Sequence, residues 1–324
     1  MSQAVLHELL TTGQRYAPEY RGGLSNHLPM ALVALHALGA DDARLREFFD
    51  RYTPRLSLAP PPGRVRDDWP ALLGRSEAFP DLLASFAARQ RAIGNASLLH
   101  ELLPRLLPGV GAAAFHGLIR TAYGVAVAHD GEIAAGLAYW ASAFLPLDAG
   151  AAHAEQSDIA AWIGALAGAL ADRRIEGGLI FERMREVGRT QAFALHAGRL
   201  AIAADTLGRL ADFAAQRYVA TRNFTVLHLV TSCHALRLLL PHVDDHDAAL
   251  RCYANAFAAG CIASGIELNS AALRQPPLAW REVVQRARLS NDDHVIKLVH
   301  SCREEAGVYG DGARLHAAAL AVGA

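Results

Sequence analysis

Apolar residues recur at three- and four-residue steps along almost the whole chain, as in LREFFDRY (45–52), DLLASFAARQRAI (81–93) and AWIGALAGALADRRI (161–175). That period gathers apolar side chains on one face of a helix, whereas a half-buried strand needs them at every second residue. Alternating runs of β-branched residues are missing. The punctuation is helical too: Ser25-Asn26 precede an apolar run that closes on Gly39, Asp41-Asp42 open the next, and Asn291-Asp292 stand before the segment 293–305. Asn and Asp accept hydrogen bonds from the free N–H groups of a first turn, and Gly ends a helix in a left-handed conformation. The pattern predicts an all-α chain of about a dozen to fifteen helices and no sheet.

Two stretches break the period. Residues 55–70 (RLSLAPPPGRVRDDWP) carry four prolines, and residues 274–280 (RQPPLAW) interrupt the pattern before the last helices. Neither is long or polar enough for an interdomain linker, so residues 1–324 are expected to form a single large multi-helix bundle domain. No solenoid-type repeat is present. One local echo is: HLVTSCH (228–234) and HVIKLVH (294–300) share the pattern H-x-x-[T/K]-x-x-H.

Hydrophobic residues make up 52% of the chain and charged residues 19%, with a net charge of −1. This balance suits a packed core and supplies no bulk field to draw the protein onto nucleic acid or an anionic membrane. The first twenty residues lack the basic start and unbroken apolar core of a secretion signal. The longest nearly apolar stretch, 159–171, is too short to span a bilayer. Four cysteines (Cys233, Cys252, Cys261, Cys302) lie in apolar helical segments without paired metal spacing, as buried thiols in a reducing compartment do. The expected setting is cytoplasmic, without nucleic-acid or membrane partners, and the oligomeric state is left open.

Fifteen histidines are present, and their placement says more than their number. His27, His116, His228 and His294 stand in apolar segments of four separate helices. Others, among them His7, His100, His129, His153, His242, His246 and His316, fall near helix ends or loops and read as surface or capping residues. A buried imidazole must satisfy two ring nitrogens, and a lone one usually does so by hydrogen bonding. Four on four helices also fit metal ligands projected inward from facing helices, and imidazole suits iron, zinc and copper. The HExxH and ExxH signatures of zinc proteases and carboxylate di-iron proteins are absent. His234 and His300 are alternates to His228 and His294. Six residues at ~3.6 per turn rotate a side chain by about 120°, so one ion would rarely take both members of a pair.

Lys and Arg together number 31, and a single one of these is lysine, Lys297. A composition that favours Arg explains the missing lysines and leaves the surviving one unexplained. Lys297 follows His294 by three residues, so on a helix the two share a face. Burial and neighbouring positive charge push an amine toward its neutral form. A neutral amine adds carbon dioxide to give a carbamate, an anionic oxygen ligand; a guanidinium stays protonated and has no such route. The plain alternative is a lysine that reaches solvent along its apolar stem.

The segments YRGGLSNHLPMALVALHALGA (20–40), FHGLIRTAYGV (115–125), LHLVTSCHALRLLLP (227–241) and DDHVIKLVHSCREE (292–305), taken in order, resemble the questin oxidase-like family along essentially the whole chain. The resemblance implies an all-α fold holding one non-haem Fe(2+), with His27, His116, His228 and His294 as ligands and a CO2-derived carbamate on Lys297 as the fifth. It also implies an O2-dependent mono- or dioxygenase that cleaves a ring of an anthraquinone-like or other polycyclic phenol, with a Baeyer–Villiger-like or dioxygenase outcome. Its partners would be a small aromatic substrate and O2. An NADPH requirement is sometimes ascribed to such proteins. No site for it is visible: the GxG of PGVGAAAFHG (108–117) opens a helix without a preceding strand. Arg120 and Tyr123 share a helix face with His116 and are candidates to orient a substrate oxygen. Thr231 is a candidate to support a ligand or bound oxygen, and Asp293 or Glu304 to accept a ligand's second N–H. Two other readings compete. His129-Asp130 and His246-Asp247 offer the dipeptide of a His-Asp metal phosphohydrolase, though both stand at apparent helix ends. A metal-free helical scaffold would keep the fold alone. A carbamate-bridged dinuclear hydrolase lacks its usual carboxylates and α/β architecture.

Overall fold

Asp41, Asp158, Asn223, Asp245 and Asp292 each accept a hydrogen bond from a backbone N–H of the turn that follows, and these caps set where five of the helices begin. The structure is a computed structural model, described over residues 3–147, 149, 155–268 and 278–323. His153 and residues 274–277 of the second irregular stretch lie outside the described residues. Among those described, fifteen α-helices follow one another: α1 (Gln3–Gly13), α2 (Leu28–Ala37), α3 (Asp42–Tyr52), α4 (Phe79–Leu106), α5 (His116–Ala126), α6 (Asp130–Ser142), α7 (Ile159–Ala169), α8 (Ile180–Gly188), α9 (Gln191–His196), α10 (Thr206–Thr221), α11 (Phe224–Leu239), α12 (His246–Ala263), α13 (Trp280–Leu289), α14 (Asp293–Tyr309) and α15 (Gly312–Ala321). The all-α expectation holds.

The one departure from a sheetless chain is a short hairpin, β1 (Glu19–Tyr20) with β2 (Leu24–Ser25), paired antiparallel. Arg21, Gly22 and Gly23 turn it with positive φ angles of 46°, 80° and 110°. The paired glycines supply a backbone that few side chains tolerate. The hairpin leads directly into α2.

Helices α2, α5, α11 and α14 pack together, with α6 behind α5 and α10, α12 and α15 around α11 and α14. The contact between α5 and α6 is unusually close. A Cβ on Gly117 would lie 2.5 Å from the Trp140 Cα, and one on Gly136 would lie 2.6 Å from the Thr121 backbone nitrogen. Hydrogen in place of a methyl lets the two backbones touch, which fixes α5 and so the position of His116. Buried apolar side chains from all parts of the chain, Phe48, Phe86, Trp140, Trp162 and Phe257 among them, join in one contiguous core. The helical run Phe224–His242 is long and apolar enough to cross a membrane by length and composition, and 72% of it is buried inside the protein. Cys233, Cys261 and Cys302 are buried and Cys252 is half-buried, and the four form no disulfide with one another.

Candidate metal centre

The four histidines from apolar contexts stand at the starts of the four central helices. His27 is the residue before α2, where Asn26 accepts from the Leu28 N–H and Pro29 occupies the first turn. His116 opens α5. His228 lies one turn into α11, whose Asn223 cap accepts from the N–H groups of Thr225 and Val226. His294 is the second residue of α14, capped by Asp292. The His116 backbone is the surprise. Residues 108–117 read as a helix opening, yet Ala113, Ala114 and Phe115 adopt left-handed φ angles of 45°, 56° and 69°. Each such non-glycine residue costs about 1–2 kcal/mol. The turn swings the Ala113 carbonyl onto the His116 ring, a use of strain typical of functional sites.

The rings form one cluster. His27 stacks on His116 with centroids 4.6 Å apart, His294 meets His27 edge-on at 4.6 Å, and His228 lies 4.9 Å from His116 and 5.5 Å from His294. Nδ1 of His27 donates to the Asp293 carboxylate, Nδ1 of His116 to Ala113 O, and Nδ1 of His228 to Phe224 O at 2.8 Å. Those acceptors hold the proton on Nδ1 and leave a lone pair on each Nε2. Burial lowers all three imidazoles well below their ordinary range, His27 to about 3, so none is charged at neutral pH. Nε2 of His27 and Nε2 of His116 nevertheless lie 2.7 Å apart. Two lone pairs facing each other repel unless a cation sits between them. Two nitrogens bound to one ion at ~2.1 Å and at right angles would stand about 3 Å apart. Nε2 of His294 is buried with no hydrogen-bond partner, while its Nδ1 faces Asp293 and Asp292 at 3.3 and 3.7 Å. One ligand atom each from His27, Asp293 and His294 falls within 4.8 Å of the others. Those three donors fit a cation, and His116 joins them through its 2.7 Å approach to His27.

Lys297 is 1% exposed, one turn below Asp293 on α14. No carboxylate lies within 4.0 Å of its amine among the described residues. Burial drives the amine down to about 8, against the opposing pull of the Asp293 and Asp292 charges. A lysine that reaches solvent would not be so placed. Burial alone would raise the Asp293 carboxyl, but His27, His294 and Lys297 outweigh it and hold the group ionised.

The remaining sequence candidates lie elsewhere. His234 and His300 come together in a second group, with ring centroids 5.2 Å apart. Nδ1 of His234 bonds Glu305 at 2.9 Å and Nδ1 of His300 bonds the Tyr123 hydroxyl at 3.1 Å, so Tyr123 contacts this group and Ser301. Arg120 is spent in a buried ion pair, its Nε 2.8 Å from Glu132. Thr231 bonds carbonyls of its own helix, Leu227 O and His228 O, at 3.3 Å. Of the two carboxylates considered, Asp293 takes the His27 N–H, while Glu304 is exposed and its neighbour Glu305 is the buried acceptor. His129 accepts from the Glu132 N–H at the start of α6, and His246 begins α12, so both His-Asp dipeptides sit at helix N-termini.

A cavity of 700 Å³ opens onto the cluster, walled by His27, His116, His228 and His294 with Tyr20, Leu24, Phe181 and Phe224. Fold and site together define an all-helical protein with a buried polyhistidine pocket. The chain belongs to the questin oxidase-like family, whose sequence model matches residues 24–302. Membership points to an oxygenase-type oxidoreductase. Comparison with curated proteins finds no match.

Proposed function

We propose that this chain is a non-haem iron oxygenase acting on a polycyclic phenol, with the metal held by His27, His116, His228, His294 and a carbamate on Lys297. The observation that carries the reading is the pair of neutral imidazoles whose Nε2 lone pairs confront each other at 2.7 Å. A metal-free scaffold leaves that repulsion, and the orphaned His294 Nε2, without compensation. A ferrous ion held by these residues would supply activation of dioxygen for oxidative ring cleavage.

The chain's own residues prepare that chemistry. Asp293, Ala113 O and Phe224 O lock three rings in the tautomer and orientation that ligation needs. Burial keeps those imidazoles neutral and raises the neutral fraction of Lys297. The Lys297 nitrogen lone pair then forms a bond to the carbon of CO2, one C=O electron pair moves onto oxygen, and an N–H proton leaves to water. The carbamate anion offsets metal charge where a guanidinium could not. Tyr20, Leu24, Phe181 and Phe224 offer the apolar wall that a flat aromatic ring requires.

Protein purified without chelators should carry iron in equimolar amount and consume oxygen with anthraquinones, xanthones or naphthols. Absence of bound metal, or two metals per chain with phosphatase activity, would contradict the proposal.

A further inference from the structure

Four charged side chains line the cavity over the histidine cluster, and three are already engaged. Arg183 donates to Ala263 O at 3.0 Å and Gly177 O at 3.2 Å. Asp292 caps α14 and Asp293 holds His27. Arg55 is different: it has no ion pair or hydrogen bond to any other described residue. Its guanidinium carbon lies over the Tyr52 ring, 3.6 Å from the centroid. Tyr52 is itself buried and accepts the His27 N–H at 3.2 Å. The contact restrains the guanidinium at the cavity wall and leaves its N–H groups without a protein acceptor among the described residues. Phe224, 55% exposed, lies with its ring 4.6 Å from His294 and 4.9 Å from His228. The starts of α2, α5, α11 and α14 also meet here, adding partial positive charge.

We propose that Arg55 anchors an anionic oxygen carried by an aromatic substrate whose ring stacks on Phe224, which makes the substrate an ionised aromatic acid or phenolate. This rests on the cavity being the substrate site of the proposed oxygenase. A cation held by an aromatic face inside a concave wall makes a charge-assisted, planar hydrogen-bonding partner for such a group.

Equilibrium binding followed by ligand fluorescence tests it, with 1-hydroxy-2-naphthoate as the anionic probe and 1-naphthol, uncharged at about pH 7, as its neutral counterpart. Wild-type protein should prefer the naphthoate. Arg55→Leu should weaken the naphthoate by roughly tenfold or more while leaving naphthol unchanged. Arg55→Lys should recover part of the loss, and Phe224→Leu should weaken both probes. Equal affinity of wild type for both probes, an unchanged naphthoate affinity in Arg55→Leu, or an equal loss for both probes in that variant would overturn the proposal. Metal content separates the two readings. Naphthoate held through Arg55 by a protein that binds no iron keeps the anchor and removes the oxygenase. Normal iron and oxygen uptake in an Arg55→Leu variant with unaltered naphthoate binding does the reverse.

Discussion

Two tiers of histidine ride on the same helices. His228 and His294 belong to the upper tier, with His27 and His116; His234 and His300 lie six residues further along α11 and α14, with Tyr123 seven residues beyond His116 on α5. The sequence spells both tiers with the same H-x-x-[T/K]-x-x-H echo, yet their surroundings differ. In the lower tier side chains answer one another, with His234 Nε2 and Glu305 Oε2 left over: Glu305 binds His234 and the half-buried Arg237 at 2.9 and 2.7 Å, and Tyr123 binds His300 and Ser301 at 3.1 and 3.2 Å. In the upper tier the Nδ1 atoms of His27, His116 and His228 are hydrogen-bonded, and the Nε2 atoms of His27 and His116 are turned on one another beside an open cavity. Residue type and helical spacing do not make a metal centre. Each tier holds one buried Nε2 without a partner, on His294 and on His234; what distinguishes the upper tier is the approach of two ring nitrogens to 2.7 Å beside an open cavity.

The largest effect expected from this contrast is all-or-none. Lys297→Arg should abolish iron binding and oxygen uptake, measured by elemental analysis and an oxygen electrode, whereas lower-tier variants should retain iron. Unchanged activity in Lys297→Arg would erase the distinction between the tiers. Glu305→Ala should instead lower stability by about 3–5 kcal/mol in chemical denaturation, because it strips the anion from buried His234 and from Arg237.

The pH dependence comes next. Unfolded, Lys297 holds its proton up to its ordinary 10.5; folded, it releases it near 8. Between those values the unfolded chain binds more protons, so the metal-free protein should gain stability as pH rises from 8 toward 10.5. The gain is on the order of 3 kcal/mol, is absent in Lys297→Met, and can be followed by denaturation at stepped pH. Asp293→Ala removes the acceptor that orients His27, and should weaken metal affinity by about ten- to a hundredfold in competition titrations. Tyr123→Phe should be mildest, near 1 kcal/mol of stability with iron content intact, because it removes one hydrogen-bonding hydroxyl from the lower tier.

Helix content and some helix starts, those at Asp41 and Asp292 among them, are legible in the sequence, because a 3.6-residue period and an Asp cap are local properties. The cluster of His27, His116, His228 and His294 is legible for a related reason: an imidazole embedded in apolar helix stands out against its neighbours. What depends on packing between distant segments is not. The spacing that puts Arg120 on the His116 face does not reveal that Glu132, on α6, will neutralise it. Tyr123 follows His116 by two turns, but α14 brings His300 to its hydroxyl. Glu304 and Glu305 differ by a single residue, and only the phase of α14 decides which is buried. The left-handed run Ala113-Ala114-Phe115 carries no turn residue at all, since tertiary contacts hold alanine and phenylalanine in a conformation usually left to glycine.

The central claim concerns one nitrogen, and carbon-13 NMR reads it directly. The zinc-substituted protein, prepared in 13C-bicarbonate, should show a single slowly exchanging carbamate resonance that disappears on metal removal and is missing from Lys297→Arg. Metal bound in equimolar amount by wild-type protein with no such resonance would contradict the account.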